Sequence, residues 1–98
     1  MRGKVEVLNV TSPGHVYRVD AVKFAAVKAA VLQVLPEAPP GMTPADLIAA
    51  VKPLLPQDLF PGGAKAGWWV KSVQLDQEAR GTVTRAAKPP VRLWRVSG

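Results

Sequence analysis

The sequence predicts a single α+β domain in which three helices lie between two β-hairpins. Two runs rich in β-branched residues, 4–10 and 15–19, come before the helical patterns, and two more, 82–86 and 91–96, follow them. Between these runs, apolar residues recur at helical spacing in three segments that proline- and glycine-rich stretches separate. The chain has 98 residues, of which 48% are hydrophobic and 20% charged, so it is long enough for one packed core. We therefore expect residues 1–98 to form one domain.

The first predicted unit is the N-terminal hairpin. Its turn is Thr11-Ser-Pro-Gly14, because proline presets φ and glycine accepts positive φ. Alternation along the first strand places Val5 and Val7 on the inward face.

The first helix is predicted to begin after Asp20, whose side chain can accept hydrogen bonds from the free N–H groups of the first turn. Its apolar face consists of Phe24, Val27, Val31 and either Leu35 or Val34. Pro36 ends the helix, because the residue before a proline is pushed out of the helical region.

The second helix has a strong start signal. Thr43 is the predicted N-cap, Pro44 the first helical residue, and Asp46 occupies the capping-box position. Its apolar face consists of Leu47, Ile48, Val51 and Leu55. Pro53 falls late in this pattern, so we expect the helix to end or kink near Lys52.

The third helix is expected to span residues 64–80, with Gly81 as its left-handed cap. Leu59 and Phe60, in the loop before it, are expected to anchor the core beneath the helix. The adjacent Trp68 and Trp69 cannot both face the core, so we expect one to be buried. The other is expected to be partly exposed, as a packing residue or as part of a contact surface.

The last predicted unit is a hairpin around Ala87-Lys-Pro-Pro90, with Val83 and either Val91 or Leu93 facing inward. Three helices followed by a β-hairpin is the order of a winged helix-turn-helix, here with an added N-terminal hairpin. The sequence therefore predicts an α+β winged helix-turn-helix domain.

The segment 58–81 resembles a small bacterial family of winged-helix-like proteins without an established function. Gly62-Gly-Ala-Lys-Ala-Gly-Trp-Trp69 is the specific part of the resemblance, and Val7-Leu-Asn-Val10 and Pro13-Gly-His15 add to it. The resemblance covers nearly the whole chain and implies the same fold. It provides no catalytic residues.

The charge distribution favours a polyanionic partner. Thirteen basic and seven acidic residues give a net charge of +6. After Glu78 the chain has no acidic residue, whereas five basic residues follow: Arg80, Arg85, Lys88, Arg92 and Arg95. A basic end of this kind is typical of nucleic-acid-binding domains.

The third helix and the basic wing, 82–96, are the predicted contacts with double-stranded DNA. In a helix-turn-helix protein, the polar stripe of the third helix enters the major groove. Here the stripe consists of Gly67, Lys71, Gln74 and Glu78. Six residues are the predicted contacts: Lys65, Lys71 and Gln74 in or along the groove, and Arg85, Lys88 and Arg92 on phosphates. Glu78 and the nearby Asp76 argue against this prediction, because both would repel phosphate.

The alternative prediction is a protein–protein interaction or dimerisation module that uses an exposed tryptophan or the N-terminal hairpin. No residue set points to catalysis. Ser72 has no base at a suitable spacing, and His15 is the only histidine. The chain has no cysteine, so no thiolate chemistry is expected. We expect a cytoplasmic, non-enzymatic protein without a cofactor, a metal ion or a membrane-spanning segment.

Overall fold

Three helices lie between two antiparallel hairpins in the computed structural model, which describes residues 3–12 and 14–96. The elements are β1 (Lys4–Val7), β2 (Tyr17–Asp20), α1 (Ala21–Val34), α2 (Pro44–Val51), α3 (Ala66–Arg80), β3 (Val83–Arg85) and β4 (Leu93–Arg95). Each hairpin forms its own two-stranded sheet. The predicted α+β order is confirmed. Pro13 of the predicted turn and the terminal residues 1, 2, 97 and 98 lie outside the described residues.

The strands of the first hairpin are shorter than predicted because the chain after Val7 turns to α3 for its hydrogen bonds. The Leu8 N–H donates to the Asp76 carboxylate at 2.9 Å, and the Val10 N–H donates to the Leu75 carbonyl at 3.3 Å. Val7 is fully buried, and Val5 packs against the core with part of its surface exposed. The hairpin is therefore attached to the second half of α3.

The first two helices begin and end where local signals predict. The Asp20 side chain accepts from the Lys23 N–H at 3.0 Å, and α1 ends at Leu35, whose backbone is extended before Pro36. The Thr43 hydroxyl accepts from the Asp46 N–H at 3.2 Å to cap α2. Apolar residues of both helices and of the segments that directly follow them form much of the core: Phe24, Val27, Val31, Leu35, Leu47, Val51 and Leu55.

Helix α3 begins two residues later than predicted. Pro61–Gly63 form a 3₁₀ turn, and Lys65 then adopts the left-handed backbone conformation (φ 57°) directly before the helix. Gly81 ends the helix as predicted, also with a left-handed backbone (φ 84°). Trp69 is the buried tryptophan, and its ring meets that of Phe60 edge to face at 5.9 Å.

The C-terminal hairpin is fixed to the helices at β4. Met42, in the linker between α1 and α2, exchanges two backbone hydrogen bonds with Leu93 at 2.8 and 2.9 Å. The Arg95 N–H donates to the Pro36 carbonyl at 2.8 Å. Gly41 makes this approach feasible. It has a left-handed backbone (φ 78°), and a Cβ atom there would meet the Leu93 carbonyl and come within 3.0 Å of the Trp94 ring.

We predict that Gly41→Ala lowers the free energy of unfolding by about 2–4 kcal/mol, because it adds backbone strain and a clash with β4. Gly62→Ala is the matched control. Gly62 also has a positive φ (63°), but nothing lies within 4 Å of a Cβ atom there. The control should lose only the strain, about 1–2 kcal/mol. Urea denaturation measures both, and equal losses would contradict the close approach.

Candidate nucleic-acid interface

Six consecutive residues of α3 are enclosed by the rest of the protein. Residues 72–77 are all buried, because α1, α2, β1 and β3 pack around the helix. The polar members of this segment must therefore find partners inside the protein. This packing changes the role of the acidic residues that the sequence places near the polar stripe.

Asp76 is fully buried and connects α3 to the first hairpin. Its carboxylate accepts from the Leu8 N–H at 2.9 Å, the Gln77 amide at 2.8 Å and the Arg80 guanidinium at 3.0 Å. Arg80 also donates to the Glu6 carbonyl at 3.1 Å. The negative charge of the Asp76 carboxylate is thus balanced by Arg80, and the carboxylate is enclosed within the protein.

Glu78 binds Arg85 of β3. Its side chain is only 4% exposed, and its carboxylate accepts two hydrogen bonds from the guanidinium, one of them at 2.9 Å. These hydrogen bonds raise the pKa of Arg85, against the opposing effect of burial. The Gln74 amide donates to the same carboxylate at 3.2 Å. Helix α3 and the C-terminal hairpin are therefore joined through this carboxylate.

The expected open polar stripe of α3 is wrong at Gln74, whereas the expected phosphate contact at Arg85 stays a prediction. Gln74 is only 5% exposed, so it does not lie on an open polar stripe. Its amide binds Glu78 because the C-terminal hairpin packs over this part of α3. Arg85 is engaged by the same carboxylate, and 38% of its side chain is exposed. Neither Glu78 nor Asp76 lies open to solvent as the sequence suggested.

The lysines differ from the arginines in their partners. Four of the arginines form ion pairs with carboxylates: Arg18 with Glu6, Arg80 with Asp76, Arg85 with Glu78, and Arg95 with Glu37. Across residues 3–12 and 14–96, no lysine forms such a pair. Lys65, Lys71 and Lys88 are exposed, and Arg92 is half-buried without an ion-pair partner in this part of the chain. Four of the six predicted contact residues are thus free to meet an anion.

A groove of about 460 Å³ separates α3 from the C-terminal hairpin and the start of α2. We call it the central groove; it is lined by Thr11, Pro44, Ile48, Gly67, Val70, Lys71, Gln74, Leu75, Arg85 and Val91. Lys71 and Arg85 are its two cations, and the predicted stripe residues Gly67 and Gln74 form part of its lining. The middle of α3 therefore lies within a concave surface.

Two further depressions share Trp68, which is 50% exposed. The lysine recess, about 470 Å³, is lined by Lys23, Lys65, Trp68 and Trp69. The aromatic recess, about 360 Å³, is lined by Asn9, His15, Tyr17, Trp68, Lys71, Ser72 and Leu75. The exposed indole of Trp68 thus forms a boundary between two lysine-bearing hollows.

Residues 4–93 match the sequence model of a family described as a family of unknown function, DUF6958. The chain belongs to this family. Neither the search of curated proteins nor the search of solved structures gave a match. The matched region covers the first hairpin, all three helices and β3, and it ends at the first residue of β4.

In this DUF6958 chain, no helix of the described ranges is long and apolar enough to cross a membrane. The same residues contain no cluster of three or more histidine, aspartate or glutamate side chains that could hold a metal ion.

Sequence reasoning missed the aromatic recess. His15 and Tyr17 lie two residues apart, so strand alternation places them on one face, and their ring centroids are 5.9 Å apart. Helical spacing likewise places Trp68 and Ser72 on one side of α3. What the sequence could not supply is the docking of the two elements, which depends on Leu8 and Asp76.

We predict that Asp76→Ala lowers the free energy of unfolding by about 2–4 kcal/mol. The substitution leaves the Leu8 N–H and the Gln77 amide without their acceptor inside the protein. Asp58→Ala is the matched control, because Asp58 is exposed in the loop before α3. It should change stability by no more than about 0.5 kcal/mol. Urea denaturation followed by circular dichroism compares the two, and similar values for both would contradict the role of Asp76.

Proposed function

We propose that this member of DUF6958 is a non-enzymatic nucleic-acid-binding domain of the winged-helix type. Lys65 and Lys71 at α3, together with Lys88 and Arg92 in the C-terminal hairpin, contact phosphate groups in this proposal. Double-stranded DNA is the first partner to test.

The observation that carries the proposal is the burial of the two carboxylates of α3. Asp76 and Glu78 are enclosed and paired with arginines, so neither presents a free negative charge to a phosphate. The exposed charged side chains of α3 are Lys71 and Arg80, and Lys65 directly precedes the helix. The charge that α3 shows to solvent is therefore positive, which favours a polyanion.

The exposed basic side chains at α3 are mostly lysines, which favours contact with phosphate groups over hydrogen bonds to base edges. Lysine acts as a compact point charge, whereas bidentate recognition of guanine is typical of arginine. Arg85 is engaged with Glu78 and Gln74 is buried, so neither is offered as a base contact. The proposed binding is accordingly dependent on salt and weakly dependent on sequence.

The order of three helices and a C-terminal hairpin supports the winged-helix description. The attachment of β4 to Met42 holds the hairpin beside the helices. The connection between α2 and α3, residues 52–65, is much longer than the turn of a helix-turn-helix, which has about three or four residues. We therefore propose phosphate contact along α3 and the hairpin, without insertion of α3 into the major groove.

We predict that the protein binds a labelled DNA duplex with an affinity that falls steeply between about 50 and 200 mM salt. Lys65→Ala and Lys71→Ala should each weaken binding and reduce the slope of log K against log[salt] by about 1. Alanine keeps the Cβ atom at position 65, so the left-handed backbone strain is unchanged and only the charge is lost. Fluorescence anisotropy at several salt concentrations gives both quantities.

Lys28→Ala is the matched control. Lys28 is exposed on α1, carries the same charge, and lines neither the central groove nor the two recesses. It should affect binding less than either test variant. The absence of salt-dependent binding at low ionic strength would overturn the proposal, and an equal effect of Lys28→Ala would overturn the assignment to α3.

A protein–protein or dimerisation role is the second candidate. Val10 and Val16, beside the turn of the first hairpin, are exposed, as is Trp68. Strand β2 of that hairpin has no second neighbouring strand within the described residues, so its outer edge can accept another strand. Size-exclusion chromatography with light scattering tests this role, and a strict monomer at high concentration would count against dimerisation.

A further inference from the structure

Trp68 is an exposed aromatic residue held in a fixed position. The residue is 50% exposed, yet its ring meets that of Trp69 edge to face at 5.0 Å. Trp69 in turn packs against Phe60, in the core. Exposing half of an indole forgoes part of the free energy that its burial would provide. A supported, half-exposed aromatic ring is a common device for binding a second flat ring.

The aromatic recess beside Trp68 has the lining expected of a site for a planar polar group. The rings of His15 and Tyr17 form part of its wall, and Lys71 lies at the same recess. Its volume of about 360 Å³ is within the range of small-ligand pockets, roughly 300–1,000 Å³.

Ser72 supplies a polar group at the aromatic recess. The residue is 94% buried and lines the recess. Its hydroxyl can both donate and accept a hydrogen bond. The recess therefore contains a group that can meet the polar edge of a bound ring.

Lysines stand on both sides of Trp68. Lys23 and Lys65 share the lysine recess with it, and Lys71 shares the aromatic recess. The Lys23 ammonium also lies 5.7 Å from the centre of the Phe60 ring, which holds it near the recess. A linear polymer in which flat rings alternate with negative charges could lie across Trp68. Its charges would then be close to Lys71 on one side of the indole and to Lys23 and Lys65 on the other.

We propose that Trp68 is the stacking platform for an unpaired nucleobase, and that the protein binds single-stranded nucleic acid across it. The base occupies the aromatic recess, where the Ser72 hydroxyl reaches its edge. Lys71 on one side and Lys23 and Lys65 on the other hold the adjoining phosphates. This inference rests on the proposed function, because it specifies the form of nucleic acid that binds.

Stacking distinguishes a single strand from a duplex. Bases inside a duplex are already stacked and paired, so they must be extruded before an aromatic side chain can cover them. The bases of a single strand have free faces, and proteins that bind such strands combine aromatic residues with a basic track. The surface around Trp68 has both features within two adjoining recesses.

The test compares a labelled single strand with a duplex of the same length by fluorescence anisotropy at low salt. The wild-type protein should bind the single strand more tightly. Trp68→Ala should weaken single-strand binding roughly 5- to 150-fold, which is the range for the loss of one base–aromatic stack, and should leave duplex binding unchanged. Ser72→Ala should weaken single-strand binding roughly 2- to 10-fold through the loss of one hydrogen bond.

Two further variants separate stacking from structural damage. Trp68→Phe keeps an aromatic ring, so most of the single-strand affinity should remain. The quenching of tryptophan fluorescence on binding, expected in the wild type, should be lost in this variant. Leu54→Ala is the control for the removal of an exposed apolar side chain, since Leu54 is 44% exposed and lines neither recess. It should bind like the wild type.

The outcomes separate this inference from the proposed function. Equal binding of both forms, unaffected by Trp68→Ala, would overturn the stacking site and leave the proposed function standing. The absence of binding to either form would overturn both. A dimer that Trp68→Ala dissociates, in a protein that binds neither form, would assign the same surface to a second copy of the chain.

Discussion

The burial of residues 72–77 of α3 is the constraint on which the rest of the structure depends. A helix enclosed on every side must satisfy its own polar residues, and Asp76 and Gln77 do so through Leu8, Arg80 and Thr82. These hydrogen bonds also attach the first hairpin and the start of the C-terminal hairpin. The polar residues of α3 thus hold the two sheets in place, and the exposed residues of the helix lie in its first turns and at its C-terminal end.

Much of the fold follows from local chemistry that the sequence displays. Asp20, Thr43 and Gly81 cap helices as expected, because capping depends on residues three or four positions apart. The burial of Gln74 and Asp76 does not follow, because helical periodicity assumes that one side of a helix faces solvent. When four elements surround a helix, the faces are decided by contacts between residues far apart in the chain.

The candidate site also has features that the sequence predicts and features that it does not. The exposure of Lys65 and Lys71 could be predicted, since a lone lysine on a surface needs no partner. The pairing of Arg85 with Glu78 could not, because it depends on how the hairpin docks against α3. The arginines provide planar contacts that hold the elements together, and the lysines of the described residues remain as surface charges without an ion-pair partner. The number of basic residues in a sequence does not distinguish the structural arginines from the surface lysines.

Lys65 has a consequence for the balance between stability and binding. It is the one non-glycine residue with a positive φ in the described ranges, and its conformation costs about 1–2 kcal/mol relative to a residue without Cβ. Glycine would remove that cost and the cation together. In the proposed function, selection for thermal robustness and selection for affinity therefore act in opposite directions at this position, as in the trade-off between stability and activity at strained sites.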